Sequence, residues 1–560
     1  MLKPAFLTSV LLLAASSAAL AIEPRVIGGD DVPSAADAPF VAGLVNPSND
    51  LVFCTGSLIT PNWVMTAAHC LTNGVDTLAP GDVTVFVNTV DKSTGLSNQR
   101  TVDGVYTHPD YNDDTLSSDI ALLHLASPAS GIGTASVADS AAYTRMLNDA
   151  PRNDSLLLYG WGFIDDSNTD TDTLQRVRLD FLAASQCNIY YNINITSNFY
   201  ICAWEPQPDA ADPDGEDSCQ GDSGGPLISD PDGNPWVVGM TSFGPTGGCG
   251  LIDGQPFPSV YSNLANFNAW LEQASRAFQA LVDIRPTLAQ RSIVMSASAT
   301  APVDLMLSNS TSNNISTHQL EITGSSNFTL VQSGTSLVCL GTSPAINCTG
   351  TAIAANSSVN ARFNLNWTGG TSDLKTLTFT SSTSNDMRVA NNVQQLTVAI
   401  SDLPDLALTL PGSVSGAFSG TATGTLENRS VDVAATDATL NLNADVGINI
   451  TAVRLGGESK TCSGIGTNSV SCSLGTLNGS SSAALAIDLD GGGKGSLSAT
   501  VSSPLGDYDS ASNSATASVD LVAQLLSSGG GGGGGGGLNW QWSILLLLYG
   551  CLRRKVSLSH

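Results

Sequence analysis

Short apolar runs, each closed within a few residues by Gly, Pro, Asn or Asp, dominate the chain from about residue 26 to 280; Leu156 to Tyr159 and Trp236 to Met240 are examples. Such runs are too short for buried helices, and their punctuation is that of tight turns, so the expected fold class is all-β. One segment breaks the pattern. From Asn266 to Ala280, the residues Phe267, Trp270, Leu271, Ala274 and Phe278 recur at three- and four-residue steps, the spacing of a helix with one apolar face. A chain of 560 residues exceeds what one core serves, and its texture changes near residues 284 and 525.

Between those two points the sequence is rich in Ser, Thr, Asn, Ala and Val, sparsely charged, and alternates apolar with polar positions. Two segments within it read as copies. The first carries Cys339, Cys348, Ala355-Asn356-Ser357-Ser358, Thr376-Leu377-Thr378-Phe379 and Asn391-Asn392. The second carries Cys462, Cys472, Leu477-Asn478-Gly479-Ser480, Ser496-Leu497-Ser498-Ala499 and Asn513-Ser514, in the same order. Copies over 284–402 and 403–525, at about 120 residues each, suit a seven-strand β-sandwich of Ig-like kind apiece. In each, the close Cys pair (Cys339–Cys348, Cys462–Cys472) is placed to staple one hairpin.

The two ends carry addressing patterns. Lys3 gives a short basic start, Leu11 to Leu13 lie in an apolar run, and Ala19-Leu20-Ala21 offers a small-residue cleavage site, so residues 1–21 read as a secretory signal peptide. At the other end, residues 529–537 are an unbroken glycine run that serves only as a flexible linker. Residues 538–560 follow, with Trp540, Trp542, an apolar stretch from Ile544 to Tyr549, and the basic cluster Arg553-Arg554-Lys555. The apolar part, at about 14 residues, falls short of the ~20 of an ordinary spanning helix, yet its aromatic and basic flanks suit a bilayer with the basic side in the cytoplasm. This layout resembles the GlyGly-CTERM sorting signal of Gram-negative bacteria. The resemblance implies a tail transiently in the membrane, processing by an intramembrane protease, and delivery through the periplasm to the cell surface or the medium.

Asp and Glu outnumber Lys and Arg by 49 to 21, a formal charge of −28. That balance repels nucleic acid and anionic lipid headgroups and argues against either as a main partner. Eleven Cys in an exported chain point to an oxidising compartment.

Peptide hydrolysis near neutral pH needs an activated nucleophile, a base of near-neutral pKa, and donors for the oxyanion that forms. A Ser hydroxyl is weak until an imidazole takes its proton, and the imidazole must be held in one tautomer by a buried acceptor. Three segments supply these parts. Thr66-Ala67-Ala68-His69-Cys70 sets a histidine beside a cysteine after an apolar strand. Ser118-Asp119-Ile120-Ala121-Leu122-Leu123 sets an Asp at the mouth of a buried strand. Gly221-Asp222-Ser223-Gly224-Gly225-Pro226 sets a Ser in a tight glycine turn whose N–H groups can face a substrate oxygen. Together, in the order His, Asp, Ser, they resemble the chymotrypsin/trypsin family of serine proteases over residues 26–280.

The resemblance implies a trypsin-like double β-barrel there, followed by the two β-sandwich domains. It makes Ser223 the nucleophile, His69 the general base and then acid, and Asp119 the residue that orients the imidazole. The amides of Gly221 and Ser223 become the oxyanion hole. It pairs Cys54–Cys70, Cys187–Cys202 and Cys219–Cys249, where six Cys alone would allow 15 pairings, and leaves Cys551 over. Arg25-Val26-Ile27-Gly28-Gly29 resembles the family's activation site, so a cut after Arg25 would remove a pro-segment, 22–25, and free the Val26 amine to pair with Asp222.

Asp217 falls at the base of the primary specificity pocket on this resemblance, where a buried carboxylate attracts Arg or Lys. Ser242-Phe243-Gly244 matches the strand that binds the substrate backbone, with Gly244 keeping the pocket open. Ser259 stands where trypsins usually have Gly and narrows the pocket, and the loop from Pro245 to Gly248 is longer than usual. The Asp residues around Asp76 and Asp82 lack the pattern of a calcium loop, and no metal or cofactor is expected. The expected protein is a monomeric, secreted endopeptidase acting on proteins and peptides after Arg or Lys, with its two sandwich domains as a stalk. The alternative is a surface adhesin or binding protein whose repeats carry the main function.

Overall fold

The computed structural model describes residues 29–522 apart from 73–75, 150–154, 165–168, 207–215, 231–233, 246–248, 250, 253–254, 325–327, 333–336, 343 and 369–373. The leader 1–21, the activation junction at Arg25 and Val26, the glycine run, the tail and Cys551 lie outside the described residues. Contacts divide the chain into two compact units: Met1–Leu403 with Arg429–Val433, and Pro404–Asn428 with Ala434–His560.

The first unit opens with six strands that close on themselves. These are β1 Val41–Asn46, β2 Leu51–Thr60, β3 Trp63–Thr66, β4 Thr84–Val87, β5 Arg100–Thr107 and β6 Ala121–Leu125, in the order β1-β2-β3-β6-β5-β4. Six more follow: β7 Leu156–Gly160, β8 Gln175–Leu182, β9 Tyr200–Trp204, β10 Pro226–Ser229, β11 Trp236–Phe243 and β12 Ser259–Asn263. They pair as β7-β8-β9-β12-β11-β10, and β10 returns to β7, so this ring also closes. The two barrels share one relative strand order. Closure leaves no unpaired edge, and strands such as β3 and β6 are buried at every position. That is why they read as continuous apolar runs rather than as alternating ones. Between the barrels, the short strand Ser136–Val137 runs parallel to the start of β11.

The helical segment is shorter than its spacing predicts. An α-helix covers Asn268–Ala274, with 3-10 turns at Leu264–Asn266 and Ser275–Ala277. The Ser275 hydroxyl donates to the Glu272 carbonyl and accepts from the Leu281 N–H, which diverts the chain out of the helix. Phe278 then leaves the helix face and stacks on His124, with ring centroids 4.2 Å apart.

The first copy of the repeat runs β13 Ile284–Leu288, β14 Ser292–Met295, β15 Thr300–Asn309, β16 His318–Thr323, β17 Phe328–Gln332, β18 Leu337–Thr342, β19 Ala345–Gly350, β20 Ser357–Trp367, β21 Lys375–Ser382 and β22 Val393–Ile400. Its sheets, β13-β15-β20-β17 and β14-β22-β21-β16-β19-β18, share one apolar core. The second unit holds β23 Leu406–Thr409, β24 Ser413–Ser415, β25 Ser419–Asn428, β26 Ala435–Ala444, β27 Ile448–Leu455, β28 Glu458–Ser459, β29 Cys462–Ser463, β30 Ser469–Leu477, β31 Ser481–Gly491, β32 Lys494–Ser502 and β33 Ser514–Asp520. Its sheets are β23-β25-β31-β27-β28 and β24-β33-β32-β26-β30-β29, again around one core. Apart from β28, the two orders match strand for strand.

Each copy holds more strands than the seven expected. A short strand after the first (β14, β24) pairs in parallel with the last, and a disulfide-closed hairpin adds an edge. In those hairpins Cys339 lies opposite Cys348 and Cys462 opposite Cys472, each pair joined by a disulfide.

Candidate active site

Strand β3 ends at Thr66, and two buried alanines lead into the 3-10 turn His69–Leu71, which brings the imidazole to the barrel rim. The Cys54–Cys70 disulfide ties that turn to β2. Asp119 arrives from the other side, just ahead of β6, on a backbone whose preceding residue, Ser118, has a left-handed φ of 54°. Its carboxylate is fully buried. One oxygen accepts the His69 backbone N–H at 2.9 Å and the other lies 2.8 Å from Nδ1 of the ring.

Two further bonds pin Asp119. The Ser242 hydroxyl donates to the carboxylate at 2.5 Å and Ser262 donates to the backbone carbonyl at 2.7 Å. An ionised carboxylate only accepts, so the proton sits on Nδ1 and Nε2 is left as the basic nitrogen. Burial pulls the His69 pKa down, but the charge and hydrogen bond of Asp119, joined by the charge of Asp113, outweigh it and hold the ring above its ordinary value.

Ser223 sits in the turn before β10, half-buried, and its carbonyl accepts from Thr55 N–H on β2. The Thr55 hydroxyl donates to the Gly221 carbonyl at 3.0 Å, so one residue of the first barrel holds the nucleophile-bearing turn of the second. Gly221 has φ of 103°, a conformation that side chains resist. The N–H groups of Asp222, Gly224 and Gly225 are each taken by a backbone carbonyl. Among the described residues, those of Gly221 and Ser223 donate to no protein group. Two free amides, the serine's own and one two residues before it, are what a developing oxyanion requires.

Asp222 points away from this mouth and is fully buried, accepting from the N–H of Gly162 and of Cys219, both at 2.8 Å. Burial lifts its carboxyl to about 6, against the opposing pull of those bonds and of the Lys92 charge. Gly162 lacks a side chain where one is impossible, since a Cβ would fall 2.5 Å from the Asp222 carboxylate.

Asp217 is also fully buried. Its carboxylate accepts from Ser218 N–H at 2.7 Å and from the Ser259 hydroxyl at 2.8 Å, and Ser218 Oγ lies 2.9 Å from Ser259 Oγ. Gly244 faces this group: a Cβ on it would stand 3.2 Å from the Ser259 hydroxyl. Tyr191 and Tyr261 flank it, and burial, then the Asp217 charge, raise both phenols above their ordinary value. The Cys187–Cys202 and Cys219–Cys249 disulfides brace the surrounding turns.

The residues from Val26 to 271 match the family model described as Trypsin. A trypsin of Xenopus laevis is 32% identical over 49% of this chain and 99% of its own length. A trypsin of the bacterium Saccharopolyspora erythraea is 32% identical over 44% of this chain and 97% of its own. Serine protease 1 of Rattus norvegicus is 30% identical over 48% and 100%. The chain belongs to the trypsin family of serine proteases. It is a serine endopeptidase.

Two residues that position the protease's site were not singled out in its sequence, Thr55 and Ser262. Both are small polar residues at buried strand positions, a setting that calls for a buried hydrogen bond without saying to what. Ser242, on the strand expected against the substrate backbone, directs its hydroxyl to Asp119. Among the described residues the one grouping with metal-ligand spacing is Cys54, His69 and Cys70, and both sulfurs are consumed by their disulfide.

Proposed function

We propose that this protease cleaves peptide bonds after Lys or Arg through Ser223, His69 and Asp119. His69 Nε2 takes the proton as Ser223 Oγ adds to the carbonyl carbon, and Asp119 stabilises the imidazolium. The oxyanion is held by the amides of Gly221 and Ser223, each worth about 3 kcal/mol in related hydrolases. The imidazolium then protonates the leaving amine, the C–N bond breaks, and water repeats the sequence on the acyl-enzyme. The observation that carries this reading is the doubled grip of a buried Asp119 on His69, beside a serine turn with two unused amides.

The substrate side chain enters toward Asp217, whose buried charge favours a cation and disfavours an apolar group. The protein is made as an exported zymogen, with signal peptide 1–21 and pro-segment 22–25. The cut after Arg25 sends the Val26 ammonium to Asp222, a buried carboxylate that gains most from a cation. Residues 284–402 and 403–525 are Ig-like domains, and the tail sorts the monomeric enzyme through the periplasm to the surface of a Gram-negative cell or its medium. Matched peptides differing only before the scissile bond test the core of this reading. Protein with a verified Val26 terminus is expected to cleave after Lys and Arg, and Ser223→Ala to be inert. Cleavage after apolar residues would overturn the role of Asp217, and cleavage by Ser223→Ala would overturn the mechanism.

A further inference from the structure

The segment that leaves the protease barrels is not built like an interdomain linker. Ser275, Leu281, Val282 and Asp283 are all buried, where exposed polar sequence is the norm between independent domains. The first β-domain then sends a loop, 383–392, back onto the strand Ser136–Val137 that connects the barrels. Met387 at its tip is fully buried in the apolar cluster that also contains Trp63, Val137 and Leu271. Its carbonyl accepts the Val137 N–H at 2.8 Å, and the Ala390 N–H donates to the Ser136 hydroxyl at 2.8 Å. Next to it the buried Arg388 guanidinium pairs with Asp283 at 2.9 Å and donates to the Asn268 side chain on the helix.

A second grip closes on the same helix. The Glu272 carboxylate accepts from the Ser312 N–H and hydroxyl at 2.8 and 2.6 Å, and Arg276 donates to Asn313 and Ser312. The strand that receives the loop links both barrels. Ala135 N–H bonds Leu58 of β2, and Ala138 N–H bonds Val237 of β11. At its far end β11 carries Ser242, the hydroxyl on the Asp119 carboxylate.

We propose that the first β-domain is a working part of the catalytic unit rather than a stalk: its 383–392 loop wedges the seam of the two barrels and, through Ser136–Val137 and β11, holds Asp119 and His69 in register. Met387 and Arg388 are therefore positioning residues for catalysis. This rests on the assignment of Asp119 and Ser223 given above. A packed apolar tip with a buried ion pair beside it has few alternative arrangements, and that rigidity is what a distant geometric constraint demands.

The test uses the full chain. Calorimetry is expected to show the barrels and the first β-domain melting in one transition. Met387→Ala and Arg388→Ala should lower that midpoint by roughly 5 °C or more. They should also lower kcat, counted per site titrated with a serine-directed sulfonyl fluoride, by about tenfold with KM within about twofold, as misaligned catalytic groups do. Separate transitions, with the substitutions moving only that of the β-domain and kcat unchanged, would overturn the proposal. Should the variants fail to fold, hydrogen exchange on the unaltered chain decides. Sulfonylation of Ser223 is expected to slow exchange within 383–392, by reciprocity of coupling, and unchanged exchange there overturns it. If Ser223 does not react at all, the catalytic assignment fails, and the number of melting transitions alone judges the coupling.

Discussion

The two barrels share a strand order, and so do the two β-domains that follow them in the chain, but the members of each pair are used differently. The first barrel supplies His69 and Asp119, while the second supplies the Ser223 turn and Asp217. Neither barrel holds the whole constellation, and Thr55 and Ser242 are the stitches across the seam. In the β-domains the loop before the last strand shows the same division between frame and use. Asp386 in the first copy accepts from Ile284 and Arg388 N–H and from the Asn392 side chain. Asp507 in the second accepts from Leu406 and Asp509 N–H and from Asn513. The bracing is repeated residue for residue. What differs is what the loop displays: a buried Met387 and Arg388 in one copy, an exposed Leu505 and Tyr508 in the other. A repeated frame fixes strands and loop anchors, and function is written in the few loop residues that the frame leaves unconstrained.

The division of labour between barrels gives the largest expected effect. His69→Ala in the first barrel and Ser223→Ala in the second should each lower kcat by about 10⁴-fold or more, and the double variant should lose little beyond the worse single one, because residues acting as one unit are not additive. Steady-state kinetics on one peptide substrate reads this out. Multiplying losses would mean that the barrels contribute independently and that the comparison above is wrong.

A smaller effect separates the β-domains. Burial, then the charge of Asp283, lifts the Asp386 carboxyl from 3.8 to about 7. Below pH 4 the group is protonated whether folded or unfolded. Between about 4 and 7 the unfolded chain releases the proton first, so folding stability falls as pH rises, by up to about 4 kcal/mol for a three-unit shift. Above 7 the penalty is constant. Asp386→Asn should flatten this slope in urea denaturation at pH 5 and pH 8. Asp507, half-buried and raised in the same direction, should give a smaller flattening when changed to Asn. Equal effects would show that burial does not distinguish the two loops.

Much of this was legible in the residues themselves. The His69, Asp119 and Ser223 segments carry a local signal because each chemical part needs a particular neighbour: a cysteine brace, a buried strand, a glycine turn. The repeat was legible from the ordered return of Cys pairs and Asn positions. The wedge of Met387 was not, because an apolar residue among Asn, Asp and Arg looks like any loop residue until the chain that buries it is known. Thr55 and Ser262 were hidden for the same reason, since their partners lie 166 and 143 residues away in sequence. The helix over Asn266–Ala280 was overestimated because periodicity reports which face is apolar, while Ser275 bonding back to Leu281 N–H decides where the helix stops.

The narrowest difference between the barrels concerns the substrate side chain, which on the function proposed above is read by the second alone. Asp217, Ser259, Gly244 and Tyr191 all belong to it, and Ser259 is one of the two departures that the resemblance to trypsins marks. Its hydroxyl occupies one carboxylate oxygen of Asp217 at 2.8 Å and stands opposite Gly244. A guanidinium needs both oxygens in a planar fork, and it is the longer group, whereas an ammonium is a compact donor satisfied by one oxygen and a hydroxyl. The unaltered enzyme should therefore favour Lys, and Ser259→Gly should raise the Arg-to-Lys ratio of kcat/KM by about tenfold. Paired peptides differing only in that residue measure it. A ratio that stays fixed would place the limit elsewhere in the pocket wall. A ratio that falls would mean the Ser259 hydroxyl itself binds the guanidinium, and the second barrel would then read Arg through that serine.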